Sequence, residues 1–231
     1  MKVTIETYFK RYSMQDAALF NLIQEIQKFG SLITYGGFVR GFLENKNVRF
    51  LRDIDLMIMT EKGNDFWSFF FKNHDFKINS MGGFKITIGQ FTIDFWELND
   101  TWAFKNNIYK PSVENLEKTV FLNIDGAVYD FENKKMYNKL YTDALNRGCL
   151  DVVLKENPLI ELNFSRAVYF AKKYSLTFSD ELSLTFKEYF QKFSTNFLIQ
   201  KIIDVQNKHY GASVNSIEEI KEALRYIYIK C

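Results

Sequence analysis

The chain has little of several residues whose presence would have pointed elsewhere. It carries two cysteines, Cys149 and Cys231, whose spacing matches neither a disulfide framework nor a metal-ligand motif. Its two histidines, His74 and His209, stand too far apart for a zinc site, and each is expected on the surface or at a helix end. With two prolines and no Ser/Gly-rich stretch, no disordered linker is expected. No apolar run approaches the roughly 18 residues needed to span a bilayer. The opening Met1-Lys2-Val3-Thr4-Ile5-Glu6 lacks the apolar core of a signal peptide. The expectation is a reduced, soluble, cytoplasmic protein with no membrane association. Net charge is only +2, so a strong global field for nucleic acid is absent and only a local basic patch remains open.

What the chain does have is apolar and aromatic mass. Of 231 residues 47% are hydrophobic, with 24 Phe and 13 Tyr, enough to fill the core of one large domain or two small ones. Ser13 with Asp16 reads as a helix N-cap, Leu19, Leu22, Ile23 and Ile26 as the buried stripe, and Gly30 as the stop. Residues 31–35 form a strand running into Gly36-Gly37. Phe38, Val39, Phe42 and Leu43 make a short helix, 44–52 a polar loop, 53–60 a second strand and 64–73 a Phe-rich helix, although Phe69-Phe70-Phe71 also reads as strand. Three apolar segments follow, at 76–80, 84–88 and 91–97, punctuated by Gly82-Gly83 and Gly89-Gln90 as a β-meander. Residues 127–131 and 135–137 read as a small hairpin. From Tyr141 onward the pattern is helical. One stripe runs from Leu159 to Tyr174, a longer one joins Leu182, Phe186, Tyr189, Phe193, Phe197 and Ile202, and Ser216 with Glu219 forms a capping box. The fold class expected is α+β: a mixed β-sheet with flanking helices over residues 1–138, then an all-helical region over 139–231.

The chemistry concentrates in Gly36-Gly37-Phe38-Val39-Arg40 and Asp53-Ile54-Asp55-Leu56. Residues i and i+2 of a strand face the same side, so Asp53 and Asp55 aim two carboxylates at one spot. Such a pair repels itself unless a cation intervenes. Oxygen-only ligation suits Mg2+, which takes one or two carboxylates plus substrate phosphates. Asp94, an acid inside the last apolar strand of the meander, is the candidate third ligand; Glu97 and Asp100 lie near it if the register slips. Gly36 and Gly37 let backbone approach a triphosphate at a helix start, and Arg40, one turn in, can pair with phosphate. Three carboxylates on adjacent strands can hold two divalent ions about 3.5–4 Å apart, which is the equipment of in-line nucleotidyl transfer.

These two motifs resemble the head domain of the polymerase-β-type nucleotidyltransferases, in particular the class II tRNA nucleotidyltransferase (CCA-adding) and bacterial poly(A) polymerase group. That group reads Gly-Gly-x-Val-Arg-Asp and then Asp-x-Asp. The likeness continues weakly through Ile124-Asp125-Gly126-Ala127-Val128-Tyr129-Asp130, Glu156-Asn157-Pro158-Leu159 and Arg166-Ala167-Val168-Tyr169-Phe170-Ala171, so it spans roughly residues 31–174. It implies Asp53 and Asp55 as metal ligands, Gly36, Gly37 and Arg40 around the triphosphate, and a further acid where Asp94 stands. It implies Mg2+ or Mn2+ as cofactor, an NTP as substrate and an RNA 3′ end, such as that of tRNA, as acceptor.

The chain also departs from the pattern. Gly41 stands where the group has Asp, and Thr119-Val120-Phe121 where it has a nucleotide-contacting Arg-Arg-Asp. Asn157 and Ile160 stand where an Asp and an Arg select the base. A protein or small-molecule acceptor, or a non-catalytic nucleotide- or RNA-binding role, therefore stays open beside the RNA reading. Lys134-Lys135, Arg147 and Lys172-Lys173 are candidates for an RNA path, though a solvated helical face accounts for them as well. Trp67, Trp96 and Trp102 read as core before base stacking.

Overall fold

The computed structural model of the chain describes residues 3–51, 53–60, 64–79 and 82–230. They fall into two compact units. The first runs to Thr119 and resumes over Gly126–Asn138; the second comprises Val120–Asp125 and the chain from Lys139.

The first unit begins with α1 (Ile5–Ser13) and α2 (Ala17–Gln27). No element was expected over the first of these, yet Ile5, Tyr8, Phe9 and Tyr12 recur at helical spacing and are buried. Ser13 is the last residue of α1, its hydroxyl donating to the Lys10 carbonyl, so it is not a cap. Asp16 itself caps α2, accepting from the amides of Ala18 and Leu19. Next come β1 (Gly30–Tyr35), α3 (Gly37–Leu43), β2 (Asp53–Thr60) and α4 (Asn64–Asn73). Gly30 opens the strand rather than ending the helix. A Cβ there would lie 2.0 Å from the Met59 carbonyl oxygen, so the close strand approach admits only glycine. The meander is β3 (Lys77–Ile78), β4 (Phe84–Ile88) and β5 (Phe91–Glu97), followed by the short α5 (Trp102–Lys105) and α6 (Val113–Leu116) and the hairpin β6 (Val128–Asp130) with β7 (Lys135–Tyr137). Ser80, the last residue of the first expected meander strand, lies outside the described residues.

Seven strands form one sheet in the order β3-β4-β5-β2-β1-β6-β7. The pair β2–β5 is parallel, and β1 runs antiparallel to both β2 and β6. The Phe-rich segment settles as helix: Phe66 and Phe70, four apart, are buried against Phe95, while Phe69 and Phe71 stay exposed. Burying such a ring contributes about 1.5–3 kcal/mol. Another cluster gathers Ile33, Met57, Phe104, Leu116 and Val128.

The second unit holds α7 (Lys139–Arg147), α8 (Ile160–Tyr174), α9 (Asp180–Phe190), α10 (Thr195–Tyr210) and α11 (Ile217–Lys230). It also holds two short strands that helical periodicity did not suggest, β8 (Cys149–Leu150) and β9 (Thr177–Phe178), paired in parallel. The long stripe from Leu182 to Ile202 is two helices, and Phe197 on the second is 55% exposed. The capping box of α11 is reciprocal: the Ser216 amide donates to Glu219 Oε2 at 2.8 Å and the Glu219 amide to Ser216 Oγ at 3.2 Å. Arg166 grips Asp125 through Nη2–Oδ1 at 2.6 Å, which joins two of the weaker motif segments within this unit. No described helix is long and apolar enough to cross a membrane.

Candidate active site

The site is built where β1 ends. Gly36 has φ +65°, a left-handed conformation that a side chain resists. Its amide donates to the Ala127 carbonyl at 2.9 Å, and its carbonyl accepts from the Arg40 amide as α3 begins. A Cβ at Gly36 would stand 3.4 Å from Asp55 Oδ2, whereas one at Gly37 would meet nothing within 4 Å. The glycine pair thus lies against one carboxylate and opens onto free space, with no bulky ring filling the cradle.

On β2, Asp53 is exposed and Asp55 half-buried, both on one face. Tyr35 and Asp55 are register partners, and the buried Thr34 hydroxyl donates to the Asp55 carbonyl at 3.0 Å, fixing that register. On β5 the register partner of Asp55 is Asp94, so this acid stands abreast of Asp55. Asp94 is already engaged: Lys85 Nζ lies 3.0 Å from its Oδ2, and Asn79 Nδ2 donates to its Oδ1 at 2.9 Å. Among the described residues no group of three or more His, Cys, Asp or Glu side chains is arranged to hold a metal ion. Asp53 and Asp55, on one face of β2, could supply an oxygen pair to a hard divalent cation sharing its shell with phosphates. Arg40 lies on α3 but is only 8% exposed, so it is a buried cation of the helix rather than an open surface arm.

Tyr12 belongs to this neighbourhood and was missed. Its fully buried ring meets Phe38 and Phe91 edge-on. Its hydroxyl is pushed above the ordinary tyrosine range, first by burial and then by the charges of Asp53 and Asp55. The signal available in the sequence was the apolar spacing of α1.

Other candidates take structural roles. Lys135 lies 3.8 Å from Glu114 and over the Tyr137 ring, Lys172 pairs with Glu219, and Lys173 donates to the Tyr174 hydroxyl at 2.6 Å. Trp67 packs on Phe84 and Phe95, and Trp96 meets Tyr35 edge-on. Asp130 is buried and accepts the Glu132 and Asn133 amides, organising the hairpin turn. Within the second unit, Asn157 and Ile160 line a cavity of about 600 Å³, and Leu159 between them is held at φ +66°.

No protein-family model matches the sequence, and no curated protein does. Solved structures do share its fold. A CCA-adding enzyme in complex with CTP aligns with a TM-score of 0.61 at 12% identity, over 95% of this chain and 54% of the other. The Thermotoga maritima CCA-adding enzyme complexed with tRNA aligns at 0.60 and 13%, over 95% and 54%. A tRNA-processing enzyme in an apo form aligns at 0.59 and 14%, over 93% and 57%. The chain spans about half the length of these solved chains. What is shared at such identity is the fold: a mixed sheet with helices, then a mainly helical region. The chain shares the fold of these CCA-adding enzymes over the part of them that it covers.

Proposed function

We propose that the chain is a metal-dependent nucleotidyltransferase that moves a nucleoside monophosphate from an NTP to an acceptor hydroxyl, the 3′ end of an RNA such as tRNA, and releases pyrophosphate. The observation that carries this reading is the placement of Asp53 and Asp55 on one strand face beside the open Gly36-Gly37 turn.

The residues divide the work. Gly36 and Gly37 leave the backbone bare where the triphosphate lies. Asp53 and Asp55 would hold Mg2+ or Mn2+, and Asp94, paired with Lys85 in this structure, would be the third ligand. When bound, the cation supplies positive charge at the triphosphate and at the acceptor oxygen. The acceptor oxygen bonds to the α-phosphorus, its proton passes to solvent, and the bond from that phosphorus to pyrophosphate breaks, so the chain's task is positioning and charge compensation. Arg40 stiffens the helix start from within and adds a fixed positive charge near the phosphates.

A second acceptor class has its own observation in favour. Asn157 and Ile160 replace the base-selecting Asp and Arg of the group the chain resembles, so the acceptor and base need not be those of CCA addition. The test is incubation with Mg2+ and each NTP labelled on the α-phosphate, in the presence of total RNA, protein or small-molecule pools. Label in RNA supports the RNA reading, and label in protein or small molecules supports the second. NTP binding with no label in any pool rejects the enzyme.

A further inference from the structure

Apart from the glycine turn, the first unit holds a cavity of about 1190 Å³ between α1, the loop after α3 and the turn at Gln90. The mean charge of the chain hides it, because its cations are scattered through the sequence. Arg11 comes from α1, while Lys46 and Arg49 come from the loop. Among the described residues no Asp or Glu lines it. Lys46 is paired with Glu44 at 3.1 Å, but no described carboxylate forms an ion pair with Arg11 or Arg49. Two guanidinium groups in no ion pair with a described carboxylate therefore face this site, where Glu44 is the acid nearby, paired with Lys46. Guanidinium is the group that binds phosphate oxygens in pairs. Met14, Phe42 and Val48 supply an apolar side.

The wall is fixed before any ligand arrives. Asn45 turns the chain in a left-handed conformation at φ 55°, and the Lys46 amide donates back to the Gly41 carbonyl at 2.9 Å. The Asn47 side chain caps the next turn through the Arg49 amide at 3.0 Å. Gln15 Nε2 reaches from α1 to the Val48 carbonyl at 3.2 Å. Tyr8 also lines the cavity, and its hydroxyl is buried with no hydrogen-bond partner. A Cβ at Gly41 would come within 3.3 Å of that hydroxyl and 3.2 Å of Leu51 Cδ2. The wall thus occupies the space of the Asp that the resembling group carries at this position, which ties the cavity to a departure particular to this chain.

We propose that this cavity is a second anion site, separate from the glycine turn, for a small phosphate-bearing molecule of nucleotide size. Its phosphates lie on Arg11 and Arg49 and its apolar part against Met14, Phe42 and Val48. The volume of about 1190 Å³ lies just above the roughly 300–1,000 Å³ range of small-molecule sites, enough for one nucleotide.

The test exploits the difference in what holds the phosphates. Paired carboxylates need a divalent cation to accept a triphosphate; arginines do not. ATP is titrated by calorimetry into the full chain in EDTA, with inorganic pyrophosphate and a single-stranded oligoadenylate as separate titrants. Wild type is expected to bind one ATP per chain saturably, with pyrophosphate competing. The double variant Arg11→Glu/Arg49→Glu, changed only at exposed side chains, is expected to bind about tenfold more weakly or worse. Asp53→Ala/Asp55→Ala is expected to bind as wild type does. Absence of saturable binding in EDTA, binding indifferent to the arginine reversals, or binding lost in the aspartate variant overturns the proposal. Oligoadenylate binding about tenfold tighter than ATP also overturns it, in favour of a strand. None of these outcomes depends on whether the glycine turn is catalytic.

Discussion

Asp55 on β2 and Asp94 on β5 are register partners in the parallel pair of the sheet; Asp55 lies against the glycine turn, while Lys85 holds Asp94 at 3.0 Å. Lys85 and Asp94 are themselves cross-strand partners of β4 and β5, so the ion pair is built into the meander. Half-exposed pairs of this kind contribute up to about 1 kcal/mol. Lys85→Met is therefore expected to tighten Mn2+ binding by roughly fivefold, the equivalent of that energy. Paramagnetic titration of Mn2+ measures it. An unchanged or weakened affinity would show that Asp94 takes no part in the metal site.

The two glycines of the turn are expected to respond differently to alanine. At Gly36 the positive φ and the contact with Asp55 Oδ2 combine, so Gly36→Ala should cost on the order of 1–2 kcal/mol in urea unfolding. At Gly37 a methyl meets nothing, so Gly37→Ala should leave the unfolding midpoint unchanged within error while weakening NTP binding. Equal stability losses at both positions would contradict the open cradle.

Tyr8 carries a buried hydroxyl with no partner, and burial, followed by the charge of Glu44, pushes it up to about 12. An unsatisfied buried donor costs about 1–3 kcal/mol. Tyr8→Phe is expected to raise the stability of the ligand-free protein by part of that amount, and Gly41→Asp to lower it by crowding Leu51 and Tyr8. Thermal unfolding of the two variants decides, and a destabilised Tyr8→Phe would point to a partner for the hydroxyl.

Three glutamates sit below their ordinary value of 4.5. Glu6 is held down chiefly by the Tyr129 hydroxyl and Glu219 by Lys172. At Glu161 burial alone would raise the carboxyl, but Lys201, its own backbone amide and Tyr189 outweigh it. A depressed carboxyl contributes stability that is complete above its unfolded value and is lost as pH falls through its folded one. The urea midpoint is expected to hold from neutrality to about pH 5 and to drop below about pH 4.5. In Glu161→Gln the neutral-pH midpoint should be lower and the acid drop shallower. An unaltered slope would remove Glu161 from the balance.

The bounds of β2, α4, β4 and β5 were legible because each is a strongly patterned run closed by turn residues. The alternation of Phe91, Ile93 and Phe95 with Thr92, Asp94 and Trp96 was enough to set Asp94 on the polar face. α1 escaped because its buried stripe is made of Tyr and Phe interleaved with Lys and Arg, so mean hydropathy conceals it. With α1 went Tyr12 beside the acids and Arg11 beside the cavity. Lys85 as the partner of Asp94 depends on a cross-strand register, and the gathering of Arg11, Lys46 and Arg49 depends on tertiary packing. Neither is written at any one place in the chain. The split of the long helical stripe at residues 191–194 was hidden because aromatic spacing carries on across the break.

The most direct measurement is label transfer from an α-phosphate-labelled NTP, with pyrophosphate release followed in parallel, by wild type, Asp53→Asn and Asp55→Asn, each preparation also being melted. Transfer in Mg2+ by wild type is predicted, with a fall of at least about a hundredfold in each variant. The melting transitions should be undiminished, since each change removes one of two neighbouring negative charges and no core packing. Transfer that persists in both variants, or that is absent from wild type while NTP is bound, would contradict the account.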